Sequence, residues 1–97
     1  MELRQIDLDF SNGDLRSVYP NPLTTSTTIN YELSTASHVS IKVFDVTGRQ
    51  IDELVSATQE ASNHTQIWDA SYFEKGVYMI ELHINGVKVT SERVVIQ

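Results

Sequence analysis

Apolar and polar residues alternate with period two along most of the chain. Ile6, Leu8 and Phe10 are separated by Asp7 and Asp9, and Ile29, Tyr31 and Leu33 by Asn30 and Glu32. Val39, Ile41 and Val43 alternate with Ser40 and Lys42, after which the phase slips to Phe44 and Val46. Tyr78, Ile80, Leu82 and Ile84 alternate with Met79, Glu81 and His83; Val87 and Val89 open a last strand that Val94 to Ile96 closes. Successive side chains of an extended chain point to opposite faces, so this pattern predicts strands with one face buried. No window of similar length carries a helical stripe.

The breaks between these runs hold residues that turn a chain. Asn85-Gly86 sits between two alternating runs and predicts a two-residue hairpin, because both residues accept positive φ. Asn12-Gly13 is a second candidate turn, and Thr47-Gly48 ends the run from Ile41. Pro20-Asn21-Pro22 cannot lie in a central strand and marks an entry loop. About seven strands with turns about every 8–12 residues give an all-β fold, an Ig-like antiparallel β-sandwich. Trp68, the single tryptophan, is the expected core anchor between the sheets, and Asp69 after it is expected to cap a turn.

Composition narrows the function. Ninety-seven residues make one domain with one modest core and leave no room for a deep cleft. A net charge of −6, spread along the chain, disfavours nucleic acid and anionic lipid as partners, since Lys and Arg hold both. Without cysteine there is no disulfide, no thiolate metal site and no thiol nucleophile. No apolar run approaches the roughly 20 residues of a membrane helix, so direct membrane insertion is not expected. Met1–Ser11 lacks the apolar stretch of a signal peptide; if the protein is exported, that signal lies outside this sequence. The Pro-rich entry divides residues 1–17, read as a linker or a loosely attached strand that could be the tail of a preceding domain, from a domain at 18–97.

The search for catalytic chemistry finds none. His38, His64 and His83 are the candidate bases, yet none has a second histidine at ligand spacing, and all three read as surface histidines. No Gly-rich phosphate loop, G-x-S-x-G elbow or H-E-x-x-H helix is present. Asp7, Asp9, Asn12, Gly13 and Asp14 resemble a calcium loop in composition but miss the EF-hand register, which leaves a solvated acidic strand or a weak surface calcium site. Asn63-His64-Thr65 fits the N-glycosylation triplet, which matters only in a glycosylating pathway. The reading is a non-enzyme with no cofactor.

Several landmarks together are similar to one family. Val18-Tyr19-Pro20-Asn21-Pro22 resembles the opening of the C-terminal sorting domains of the type IX (Por) secretion system, type A, and Thr27–Tyr31 resembles their first core strand. Ile41–Arg49 resembles the strand that ends in a D-x-x-G-R turn, with Asp45, Gly48 and Arg49 in its fixed places. Ile67–Ala70 and Lys75-Gly76-Val77-Tyr78 resemble the W-D-A and G-x-Y signatures, and Thr90–Gln97 the closing strand. Glu92-Arg93 stands where the family more often carries lysine. The match covers Val18 to Gln97.

The resemblance implies a signal borne by a larger N-terminal cargo. The cargo would cross the inner membrane, fold in the periplasm, pass the outer membrane through the type IX apparatus and reach the cell surface or medium. A sortase-like protease would commonly remove the domain. The recognition residues it implies are Pro20, Asn21, Pro22, Asp45, Gly48, Arg49, Gly76, Tyr78, Lys88, Arg93, Val94, Val95 and Ile96. A closing strand at a sheet edge could take up a partner strand or a second copy, with Lys88 and Arg93 giving it local positive charge. Gly76 and Tyr78 are equally readable as folding residues, and Ser11–Ser17 is the expected cleavage segment. The rival readings keep the fold: a structural module like the Ig-like domains of the flagellar hook cap, or a carbohydrate-binding accessory domain using Trp68, Tyr72 and Phe73. The sequence stops just after the last apolar strand, which favours the sorting signal.

Overall fold

The computed structural model describes residues 12–97. Seven strands follow one another: β1 (Gly13–Tyr19), β2 (Ser26–Leu33), β3 (Ser37–Phe44), β4 (Gln50–Gln59), β5 (Ser62–Asp69), β6 (Gly76–Ile84) and β7 (Val87–Ile96). They form two antiparallel sheets, one of three strands in the order β1-β2-β5 and one of four in the order β4-β3-β6-β7. The result is the β-sandwich that the period-two pattern predicts.

The alternating residues become its core. Ile29, Tyr31 and Leu33 of β2 face Val39, Ile41 and Val43 of β3 and Ile80, Leu82 and Ile84 of β6, all of them buried. Removing each of these side chains from water stabilises the fold by about 1.5–3 kcal/mol. Trp68 is fully buried, as its role of anchor requires. A buried indole or phenol needs a partner for its polar atom. Trp68 Nε1 donates to the Asp52 carboxylate at 3.2 Å, and the Tyr31 hydroxyl donates to Gln59 at 2.6 Å. Each bond joins the three-stranded sheet to β4 of the other.

Asn85 (φ 51°) and Gly86 (φ 83°) form the β6–β7 hairpin as the sequence predicts. Asn12-Gly13 does not form such a turn. Gly13 is the first residue of β1, opposite Leu33, and a Cβ there would run into the Glu32 carbonyl oxygen. The glycine serves a close approach of backbones, a need that sequence does not distinguish from a turn. Asn12 holds the facing loop by accepting the Ser34 amide at 2.7 Å. The strand expected at Ile6–Phe10 lies outside the described residues, as do Asp7 and Asp9 of the calcium reading. Of that acidic cluster, Asp14 accepts its neighbour's amide, Leu15 N–H, at 2.8 Å. Residues 13–17, expected in a linker or attached strand, pair with β2 as most of β1.

The phase slip expected at Phe44 corresponds to an irregularity in pairing. The β3–β4 register shifts between Ile41 and Lys42 and again between Val43 and Phe44, while β3 stays in register with β6.

Candidate recognition face

The register brings the distinctive motifs to one end of the sandwich. β1 ends at Tyr19, β2 begins at Ser26 opposite Asp69, β3 ends at Phe44 opposite Met79, and β6 begins at Gly76 opposite Ile96. The segment 20–25, the turn 45–49, the loop 70–75 and Gln97 therefore share one pole. Asn12, the loop 34–36, the Glu60-Ala61 turn and the Asn85-Gly86 hairpin occupy the other.

At the Gln97 pole, the Pro-rich segment straps the end of β7. Tyr19–Pro20 and Asn21–Pro22 are both cis. The Asn21 carboxamide donates to the Arg93 carbonyl at 2.9 Å and accepts the Val95 amide at 3.1 Å. Leu23 N–H donates to Val95 C=O at 2.9 Å, and Gln97 N–H to Leu23 C=O at 2.8 Å, which makes a short parallel bridge between Leu23 and Ile96. The Leu23 side chain plugs the core beside Val94 and Ile96. Thr27, itself buried, fixes the strap by donating its hydroxyl to Pro20 C=O at 2.8 Å.

β7 is an edge strand, as expected, but its outer edge is not free throughout. Over Arg93–Gln97 the outward backbone groups are taken by Asn21 and Leu23, so unpaired edge remains only toward Val87. The sequence could not reveal this, because the covering residue lies 74 positions away.

Two carboxylates organise the neighbouring turns. Asp45 accepts Thr47 N–H at 2.9 Å, the Thr47 hydroxyl at 2.6 Å and Arg49 N–H at 3.1 Å. The Thr47 hydroxyl, then the two amides and the Arg49 charge, hold its carboxyl below the usual range. Gly48 (φ 87°) supplies the left-handed step of this turn, and Arg49 Nε lies 3.4 Å from Asp45 Oδ2. Asp69 does the same for the next loop. It accepts the Ser71 hydroxyl at 2.7 Å and amide at 3.0 Å, and these bonds hold its carboxyl low. Asp69 is a turn-capping residue.

Tyr78 packs edge-on against Trp68 with ring centroids 5.7 Å apart, and Phe73 lies against Trp68 at the same separation. The Tyr78 hydroxyl donates to Glu74 C=O at 2.6 Å, closing the loop onto the strand. Burial, followed by the charges of Glu74 and Asp45, pushes its phenol up. Gly76 adopts φ 152°, a backbone that side chains rarely permit. Of the cluster Trp68, Tyr72 and Phe73, only Tyr72 stands in solvent, at 88% exposure.

An open groove of about 530 Å³ runs between the Asp45 turn and the 70–75 loop, flanked by Arg49, Tyr72 and Lys75. Beside it, Phe44, Val46, Val77 and Met79 line a shallower hollow on the outer face of the four-stranded sheet. Pro20, Asn21, Pro22, Asp45, Gly48, Arg49, Gly76, Tyr78, Arg93, Val94, Val95 and Ile96 all gather at this pole. Lys88 does not: it pairs opposite His83 near the other pole, 4.0 Å from Glu81. Val94 and Ile96 are buried, so of the closing strand Arg93 and the half-buried Val95 face outward. Leu23 and Glu74 were not among the residues singled out from sequence, and Thr27 entered only as the start of the strand motif Thr27–Tyr31. Glu74 acts through its carbonyl, Thr27 through a short hydroxyl and Leu23 through its backbone and one buried side chain, none of which leaves a motif.

The histidines lie elsewhere. His64 stacks on Tyr31 at 5.3 Å and bonds Glu60 C=O at 2.8 Å; His83 pairs with Glu81 at 2.9 Å; His38 is exposed near the Asn85 turn. Among the described residues, no three His, Asp or Glu side chains are placed to hold a metal ion.

Comparison with known proteins fits this arrangement. The chain is similar in structure to part of dimeric latent PorU from Porphyromonas gingivalis, with a TM-score of 0.72 and 16% identity. The match covers 87% of this chain and 9% of that one, so this chain spans a small fraction of PorU's length. No curated protein matches the sequence. The family model described as the secretion system C-terminal sorting domain matches residues 17–97, which take in every motif of the pole. The chain belongs to the family of secretion system C-terminal sorting domains.

Proposed function

We propose that this chain is the sorting signal of a larger cargo protein and that its Gln97 pole is the surface the type IX apparatus reads. The observation that carries the reading is convergence: the strap, the Asp45 turn, the 70–75 loop and the end of β7 are distant in sequence and meet on one face. Recognition of a folded domain needs loops held rigidly on a scaffold, and each of these loops is pinned by its own side-chain hydrogen bonds. Arg49, Lys75 and Arg93 project from this pole of a molecule with net charge −6. They suit it to an acidic counter-surface and to electrostatic steering of the encounter.

In this reading the cargo passes the periplasm and the outer membrane and is delivered to the cell surface or medium. A sortase-like protease removes the domain. Gly13–Ser17 pair with β2 as part of β1, so cleavage within that stretch of the expected segment Ser11–Ser17 would require the strand to be released first. Arg49 and Arg93 are contact residues; Gly48, Gly76, Tyr78, Val94 and Ile96 act through the fold.

The test is a reporter carrying the 97-residue chain at its C-terminus in a type IX-competent bacterium. Arg49→Ala with Arg93→Ala, in a domain whose near-ultraviolet Trp68 spectrum is unchanged, is expected to hold the reporter in the periplasm. Lys88→Ala at the opposite pole is expected to leave export intact. Full export of the double variant would move the recognition surface away from this pole.

A further inference from the structure

We propose that β5 is the edge through which two copies of this chain pair, giving a continuous six-stranded sheet in the order β1-β2-β5-β5-β2-β1. Each sheet has two edges, and three of the four are guarded. β7 is strapped over Arg93–Gln97, carries Lys88 and is irregular opposite Leu82 and His83. β4 shifts register twice against β3 and bears Asp52 and Glu53. β1 shifts between Leu15 and Ser17 and bears Asp14 and Arg16. Bulges, charges and covering segments of this kind are how sheets avoid edge pairing.

Among the described residues, β5 has no bulge or covering segment, and its one charge is Asp69 at its end. Its register with β2 runs unbroken from Ser62–Leu33 to Asp69–Ser26. No residue from Ser62 to Trp68 carries a formal charge at pH 7 or is a proline. Ala70 N–H donates to Thr25 C=O on the β2 side, so by alternation Trp68, Gln66, His64 and Ser62 also turn their backbone groups toward β2. Asn63, Thr65 and Ile67 then present theirs to the open side. Two of those carbonyls receive only long bonds from adjacent side chains: Asn63 C=O from the Ser62 hydroxyl and Ile67 C=O from the Gln66 amide, both at 3.2 Å. A partner strand displaces these at little cost.

The occupant best matched to this edge is a second copy. An antiparallel pair centred on Thr65 sets Thr65 opposite Thr65 and Asn63 opposite Ile67 of the other copy, with about six backbone hydrogen bonds. Ile67, 58% exposed, gains cover. Charge supports the same choice. Two molecules of net charge −6 repel across most orientations; a β4–β4 pair centred on Asp52-Glu53 would set these carboxylates opposite each other, whereas the β5–β5 register centred on Thr65 sets Asp69 opposite Ala61 and opposes no two charges.

Sedimentation velocity of the 97-residue chain over about 10 µM to about 1 mM is expected to show reversible dimer formation. Over the same range the Asn63, Thr65 and Ile67 amides should gain exchange protection. Thr65→Lys places like charges across the two-fold axis and is expected to weaken association at least about fivefold. Thr65→Pro removes an N–H that faces away from β2, so the monomer keeps its sheet while the dimer is lost. Thr58→Lys on β4 should change nothing. A chain monomeric at the highest concentration overturns the proposal. So does a dimer that Thr58→Lys disperses and Thr65→Lys does not, or a monomer whose three amides are already protected, which would place another segment of this chain on the edge.

Discussion

Asn21 accepts the backbone amide of Val95 at 3.1 Å across 74 positions of sequence, and with its amide group it donates to the carbonyl of Arg93. One side chain thus imitates a neighbouring strand where no strand exists. It satisfies two outward groups of β7 that would otherwise be left to water, and it keeps the outer side of the closing strand from pairing with anything else.

Replacing Asn21 with Ala is therefore expected to lower stability by about 1–2 kcal/mol, the net worth of two partly exposed hydrogen bonds. Asn21→Asp should cost at least as much, because it keeps the acceptor for Val95 and turns the donor to Arg93 into a second acceptor. Urea denaturation gives the loss, and faster exchange of the Val95 amide, with the core amides of β3 unchanged, assigns it to the strap.

The Trp68–Asp52 bond predicts an ordered series. Trp68→Ala should cost about 3–5 kcal/mol through the cavity it leaves. Asp52→Ala leaves the buried indole N–H without a partner and should cost about 1–3 kcal/mol. Asp52→Asn retains an acceptor oxygen and should lie nearest the parent. Thermal midpoints by circular dichroism rank the three.

Two glycines should fail for different reasons. At Gly13 a side chain collides with the Glu32 carbonyl, so Ala and Asn are both expected to destabilise by about 1–3 kcal/mol. At Gly86 space is open and only φ 83° is demanding. Ala there should cost about 1–2 kcal/mol, while Asn, which enters the left-handed region readily, should be close to neutral. Chemical denaturation of the four variants separates crowding from backbone preference.

The carboxylates of Asp45 and Asp69 titrate lower in the folded protein than an ordinary aspartate, chiefly through the hydroxyls of Thr47 and Ser71. The unfolded chain then binds protons more readily, so their contribution is complete above about pH 4 and disappears as pH falls through the depressed folded values. Tyr31 and Tyr78 are raised above 10.0, chiefly by burial, so the folded state resists their ionisation and stability falls as pH rises past that value. Urea midpoints are expected to decline at both extremes. Asp45→Asn with Asp69→Asn should flatten the acid limb and leave the alkaline limb as it was.

Much of this fold is written locally. β2, β3 and β6 each alternate cleanly because both neighbours in their sheets are occupied and one face is fully covered, and the Asn85-Gly86 turn is specified by two adjacent residues. β4 escapes the same reading. As an edge strand with two register shifts, its Ile51, Leu54 and Val55 do not keep one face, and only Val55 is buried. Gly13 misleads because a glycine required by a passing backbone looks like a glycine required by a turn. The site shows the same division. Its turns were visible as Asp45 with Gly48 and as Asp69, whereas the strap depends on pairing between the first quarter of the domain and its last strand. Lys88 and Arg93 are five positions apart and look like one basic patch, yet an extended strand separates them by about 17 Å and carries them toward opposite poles.

The short bridge between Leu23 and Ile96 has a consequence for cooperativity. Leu23, Val94 and Ile96 complete one corner of the interior together, and a chain without Val94–Ile96 cannot close it. Losing the end of β7 would therefore unseat Leu23 and loosen the Pro-rich strap, so two segments from opposite ends of the domain stand or fall together.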